Sequence, residues 1–189
     1  KIDPVVSGNI WFKLRYYLEE ARSQQKKGIV TFGGAWSNHI VATAAACQMN
    51  RLDSIGLIRG EEPRQLSPTL LRAKEMGMQL IFLSRPDYQA KEIPAAMQPE
   101  EYYIINEGGY GIMGARGAST ILEHCRNNYT HYCCAVGTGT MMAGIINQSQ
   151  SEQKTIGISV LKNNTGLAEM IQALVVNKTD NWQLIHDYS

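Results

Sequence analysis

The chain of 189 residues is 44% hydrophobic and 19% charged and carries a formal net charge of +1. That balance suits a globular protein of one ordinary domain or two small ones. It leaves no basic stripe with interleaved aromatics for nucleic acid, and no apolar run approaches the roughly 18–20 residues that cross a bilayer.

The first predicted element follows a polar, glycine-bearing turn, Ser7-Gly8-Asn9, that opens directly onto Ile10. Trp11, Leu14, Tyr17, Leu18 and Ala21 then recur near a period of about 3.6 and predict a helix over 11–27, stopped by "QQKKG". "GIVTF" (28–32) reads as a strand, "GGAWSNH" (33–39) as a loop, and "IVATAAACQMN" (40–50) as an alanine-rich helix whose small side chains permit close packing. "SIGLIRG" (54–60) is a second strand. "SPTLLRAKEMG" (67–77) is a helix with Ser67 as N-cap and Pro68 at its first position. "QLIFLS" (79–84) is a third strand and, past a variable charged stretch, "EYYIINEGG" (101–109) a fourth.

The second half repeats the rhythm. A helix over 111–128 follows a glycine-rich loop, and the strand "HYCCAVGTGT" (131–140) runs into another such loop. A helix over 141–150, a strand over 154–161, a helix over 165–177 and a last strand over 181–187 complete the chain. Alternating strands and helices, with strands apolar on both faces, predict an α/β fold of parallel sheets covered by helices. Right-handed crossovers then bring the strand C-termini to one edge, where ligand loops gather.

The four cysteines, Cys47, Cys125, Cys133 and Cys134, form no C-x-x-C pair and no zinc spacing, so they read as buried thiols in a reducing cytosol. The start, "KIDPVVSGN", lacks the apolar core of a secretory signal. On that reading the N-x-S/T triplets at Asn128, Asn147, Asn163 and Asn177 are chance matches. Both ends of the chain read as cut from a longer protein. The four histidines show no metal spacing, and no metal is expected.

Three loops at predicted strand ends carry unusual residues. In "GGAWSNH", Ser37, Asn38 and His39 open the alanine-rich helix, whose free amide hydrogens and partial positive charge favour anions and oxygen ligands. A simple N-cap needs only one of them. In "GTGT", Gly137, Thr138, Gly139 and Thr140 form a phosphate cradle of glycine N–H groups and threonine hydroxyls. This is neither a Walker loop nor a dinucleotide fingerprint, since no G-K-[ST] follows and Met142 stands where the third glycine belongs. A nicotinamide-dependent dehydrogenase is disfavoured accordingly. The third loop, "NEGGYGIMGARG" (106–117), places Gly108, Gly109, Gly114 and Gly117 around one junction, as a hinge or a second wall of a cofactor cleft.

Together, "SGN-x-W-F-K-L-R-Y", "TFGGAWSNH" with its alanine-rich helix, "EGG" and "GTGT" resemble the 1-aminocyclopropane-1-carboxylate deaminase / D-cysteine desulfhydrase family. Its members are pyridoxal-phosphate (PLP) enzymes of fold type II, similar to the tryptophan synthase β subunit. The resemblance runs over essentially the whole chain. It implies two domains, a small one over about 13–112 and a large one built from 1–12 and 113–189. It further implies PLP as cofactor, a small amino acid as substrate, release of a keto acid and ammonia, a homodimer, and a cytoplasmic location. Gly137, Thr138, Gly139 and Thr140 resemble the phosphate loop. Asn38 resembles the residue that hydrogen-bonds the ring hydroxyl, and Ser37 a serine next to the substrate. His39 either binds the substrate carboxylate or packs. One position departs from the pattern. Ile10 stands where the family carries its Schiff-base lysine, and an alkyl side chain cannot form that bond. Lys13 matches a separate, following lysine. A catalytically dead protein of the same fold that binds PLP or an amino acid is therefore the second reading.

Overall fold

The structure, a computed structural model, describes residues 8–94, 97–125, 127, 129–161, 164–176 and 180–186. Ser7 of the expected turn, Asn128, Asn163 and Asn177 lie outside them, as do the last residues of the elements expected to end at 128, 177 and 187. The chain divides into two compact units, one ending at Gly109 and the other beginning at Tyr110.

The first unit contains α1 (Asn9–Ser23), β1 (Gly28–Gly33), α2 (Asn38–Asn50), β2 (Asp53–Arg59), α3 (Pro68–Glu75), β3 (Gln79–Leu83), α4 (Arg85–Ala90) and β4 (Tyr102–Ile105). The strands are parallel in the order β3-β2-β1-β4. Every residue of β1 is buried, as expected of a central parallel strand covered on both faces. Alternation along the strands sends Val30, Phe32, Ile55 and Leu57 into a cluster with Leu83 and Tyr88. Ile58 faces the other way and packs with Ile40, Ala44, Leu70, Ala73 and Met78 beneath α2 and α3. Ser67 caps α3 as expected, accepting from Leu70 N–H at 3.2 Å while its hydroxyl donates to the Ala35 carbonyl.

The charged stretch after β3 contains a helix that was not expected, α4. Ser84 caps it, accepting from Asp87 N–H at 3.3 Å and donating to the Asp87 carboxylate at 2.7 Å. Its short length hides any apolar period. The cap followed by Pro86 was the available signal.

The second unit contains α5 (Ile112–Ser119), which tightens into a 3-10 turn over Thr120–His124, then β5 (His131–Val136), α6 (Thr140–Gln148), β6 (Lys154–Ser159), α7 (Leu167–Gln172) and β7 (Trp182–Ile185). Its strands are parallel in the order β5-β6-β7. Ala115, Val136, Met142, Ala143, Ile146, Leu167, Ile171 and Leu174 form its core. Here the structure corrects two expectations. Along most of β5, exposed and half-buried residues alternate, so among the described residues this strand is not covered on both faces. For the same reason Cys133 is exposed, as is Cys125, whereas Cys47 is buried and Cys134 half-buried. Burial pushes the Cys47 thiol up to about 12 and the Cys134 thiol up to about 11. Among the described residues, no helix is long and apolar enough to cross a membrane.

Candidate functional site

In the first unit the chain steps outward from β1 to β2 and β3, then returns to pair β4 with the opposite edge of β1. The order reverses between β1 and β4, and loops leaving two such strands diverge around a crevice. The loop after β1 is "GGAWSNH" and the turn after β4 is "NEGG". The topology thus brings two of the three loops singled out in the sequence to one switch point.

Ser37 is the N-cap of α2 and is half-buried, with its Oγ accepting from Ile40 N–H at 3.4 Å. Asn38 is exposed at the first position of the helix. His39 turns inward and is only 4% exposed. Its Nε2 lies 2.9 Å from Thr31 Oγ1, and that hydroxyl donates to the Ile105 carbonyl at 2.8 Å. A hydroxyl has one hydrogen. With it committed to Ile105, Thr31 must accept, so Nε2 carries the His39 proton and Nδ1 is a bare acceptor. That Nδ1 is buried without a hydrogen-bond partner among the described residues. Burial, and secondarily the nearby Lys13 cation, hold the ring down to about 3. A neutral ring whose free nitrogen is an acceptor has little to offer a carboxylate, which favours packing of the two roles left open for His39.

The linkage has a definite sign. The unfolded histidine takes a proton near 6.5 and the folded one only near 3, so stability present above pH 6.5 is lost as pH falls. Urea midpoints are expected to drop between pH 6.5 and 5 by an amount equivalent to about 2 kcal/mol. His39→Gln is expected to flatten that slope. An unchanged slope would count against the buried neutral ring.

Ile10 lies in the first turn of α1, half-buried, behind an N-cap glycine that makes no side-chain cap bond. One turn on, Lys13 is buried, only 7% exposed. Its Nζ donates to the Gly108 carbonyl at 2.6 Å, and Tyr17 one further turn along donates to the Gly109 carbonyl at 3.4 Å. Helix α1 thus holds the turn after β4 by two successive carbonyls. The turn needs glycine at 109, where φ is +71° and an added Cβ would lie 3.4 Å from Lys13 Cβ and 3.7 Å from His39 Cε1. Desolvation brings the Lys13 ammonium down to about 8.

In the second unit, the fifth strand runs into "GTGT". Gly139 is the N-cap of α6 with φ +81°, a left-handed conformation that glycine adopts without strain. The first intrahelical bond there is Ala143 N–H to the Gly139 carbonyl at 2.9 Å. The N–H groups of Thr140, Met141 and Met142 precede that bond and point out of the helix end. Thr138 Oγ1 and Thr140 Oγ1 lie 3.1 Å apart. A Cβ on Gly139 would sit 2.6 Å from Ile171 Cγ1, whereas one on Gly137 would meet nothing within 4 Å. This is a cradle of amide hydrogens and hydroxyls, half-buried at Gly137 and Thr138 and buried at Gly139 and Thr140, and a phosphate suits that donor set.

Gly114 and Gly117, expected at a hinge or cleft wall, lie buried within α5 and form part of its packing face. The sequence alone assigns Lys13 at most a charge near the cofactor, not the Schiff-base role, and does not point to Thr31. Lys13 had a signal, since the stripe of Leu14, Tyr17, Leu18 and Ala21 includes its face of the helix. Thr31 had none, because its partners come from α2 and β4.

The comparisons with known proteins bear on both halves. Residues 11–187 match the sequence profile described as pyridoxal-phosphate dependent enzyme, and the chain belongs to that family. Within it, a Thermotoga maritima protein provisionally named as a 1-aminocyclopropane-1-carboxylate deaminase is 28% identical over 176 residues, covering 85% of this chain and 56% of its own length. An Arabidopsis thaliana bifunctional D-cysteine desulfhydrase/1-aminocyclopropane-1-carboxylate deaminase is 27% identical over 163 residues, covering 74% of this chain and 41% of its own. The crystal structure of an ACC deaminase homologue superposes with a TM-score of 0.81 at 25% identity, over 95% of this chain and 61% of that one. The chain spans about half the length of the curated relatives it matches. The α/β fold of parallel sheets and helices is the fold type II of this family, whose enzymes use PLP.

Proposed function

We propose that this chain is the PLP-binding part of a deaminase or desulfhydrase acting on a small amino acid, of the 1-aminocyclopropane-1-carboxylate or D-cysteine type. The α6 cradle carries this reading: bare amide hydrogens, a left-handed glycine cap and two hydroxyls 3.1 Å apart. In it, Gly137, Thr138, Gly139 and Thr140 hold the phosphate, aided by the positive end of the helix. Asn38, exposed at the start of α2, donates to the ring hydroxyl. Ser37 keeps its Oγ on Ile40 N–H and retains its hydroxyl hydrogen for substrate. When bound, PLP supplies a protonated ring that withdraws electrons from the amino-acid α-carbon. The domain division at about 13–112, against 1–12 with 113–189, is part of the same proposal.

The donor set fits the phosphate and does not fit covalent attachment at position 10. Ile10 offers no amine, and this favours the second reading for the chain as it stands: the same fold holding PLP or an amino acid without turnover.

PLP affinity, measured by equilibrium dialysis, tests the reading. One of the two hydroxyls donates to the other, so Thr138→Ala combined with Thr140→Val removes a single free hydroxyl hydrogen and is expected to weaken binding roughly tenfold to a hundredfold, as for one hydrogen bond to a charged group. Inorganic phosphate is expected to compete. PLP retention that is unaffected by both would exclude the cradle as the phosphate site.

A further inference from the structure

We propose that Lys13 is the amine through which this chain captures an aldehyde, a role for which position 10 has no amine. The identity of the aldehyde, PLP, rests on the reading above. The placement of the amine rests on the first unit alone.

Lys13 is the buried lysine among the described residues. Lys27 pairs with Asp53 and Glu101 and Lys91 with Glu107, while none of the ion pairs among the described residues includes Lys13. Its surroundings are the Gly108 carbonyl and the Gly109 turn, Tyr17 on its own helix, and the neutral His39 of α2. No carboxylate in this set holds the proton on Nζ. The location is the β1/β4 switch point, beside the α2 terminus that carries Ser37 and Asn38. Lys13 also follows Ile10 by three residues, so both project from neighbouring turns of one helix face.

The chemistry requires a neutral amine. A lysine brought down to about 8 has on the order of a hundredfold more neutral amine at pH 7 than an ordinary one. The neutral amine still donates one hydrogen to the Gly108 carbonyl and keeps its lone pair free. That pair attacks the aldehyde carbon. The C–N double bond forms as the carbonyl oxygen leaves as water with the two amine hydrogens, so no oxidant or reductant is needed.

The test incubates the 189-residue chain with PLP, adds borohydride and maps the reduced pyridoxyl group by peptide mass spectrometry. Label concentrated on Lys13 at least tenfold over exposed lysines such as Lys27 is expected, rising with pH through a midpoint near 8. Lys13→Met keeps the aliphatic stem and is expected to lose that label while circular dichroism stays unchanged. PLP retained in dialysis, with label absent or spread over the exposed lysines, would overturn the role of Lys13 and leave the PLP reading intact. PLP retained by no form of the chain would overturn both. Should Lys13→Met fail to fold, the label map and pH midpoint of the unmodified chain still decide the question.

Discussion

Ile10→Lys is expected to move the borohydride-fixed pyridoxyl label from Lys13 to residue 10 and to bring up a visible absorbance band when PLP is added. This is the largest functional change any single substitution here should produce, because it supplies a bond where an alkyl group can supply none. The surrounding turn already suits the task. Gly8 caps α1 without a side chain across the helix end, and position 10 is half-buried in the first turn. The expected result is one covalent label per chain at residue 10, with that on Lys13 falling at least tenfold. A variant that binds PLP and still carries no label at residue 10 would mean that the turn does not present its side chain to the cofactor. In that case the resemblance of "SGN-x-W-F-K-L-R-Y" to the family's lysine motif has no chemical content in this chain.

Gly144→Ala is expected to destabilise the second unit by about 3 kcal/mol or more, the upper end for overpacking in a core that cannot yield. Helices α5 and α6 meet through small residues, with Ala115 and Ala118 on one side and Ala143 and Gly144 on the other. A Cβ at 144 would lie 2.5 Å from the Ala115 carbonyl oxygen, 2.6 Å from Ala118 Cβ and 2.7 Å from Ser119 nitrogen. Two of these three atoms are backbone, so relief requires the helices to separate rather than one rotamer to change. For a unit of this size the shift in Tm should exceed 10 °C, by roughly 4–8 °C per kcal/mol. Thermal melts followed by circular dichroism measure it directly. A shift of under about 3 °C would mean that the helices part at little cost. Because α6 also carries the proposed phosphate cradle, weakened PLP binding in this variant should track the loss of folded protein and not a change in the cradle itself.

Most of the helix and strand pattern was legible because each signal is local. Ser67 and Pro68 announce α3, alternation of strands with amphipathic helices announces parallel sheets, and "GTGT" announces a strand-to-helix turn whose left-handed position is Gly139. The helix after β3 was overlooked although Ser84, Pro86 and Asp87 mark its start, since six residues are too few for a period to emerge. Strand β5 misled for the opposite reason. "HYCCAV" is apolar enough for a strand covered on both faces, yet composition does not state how many faces the neighbouring elements cover. Gly114 and Gly117 fall both in the helix expected over 111–128 and in the glycine-rich loop of 106–117, and burial within α5 settles them as helix residues.

Sequence by itself determined the family and the α/β class, and it marked "GTGT" and Ile10 as the positions to test, because each is written in contiguous residues. Only the tertiary structure decided that Thr31 fixes the tautomer of His39, that Lys13 is buried with the Gly108 carbonyl as its partner, and that the loops after β1 and β4 share a switch point. Those relations join residues up to 95 positions apart in the chain. Desolvation, the force that lowers both Lys13 and His39, depends on which distant elements exclude water from them, and no local pattern records that.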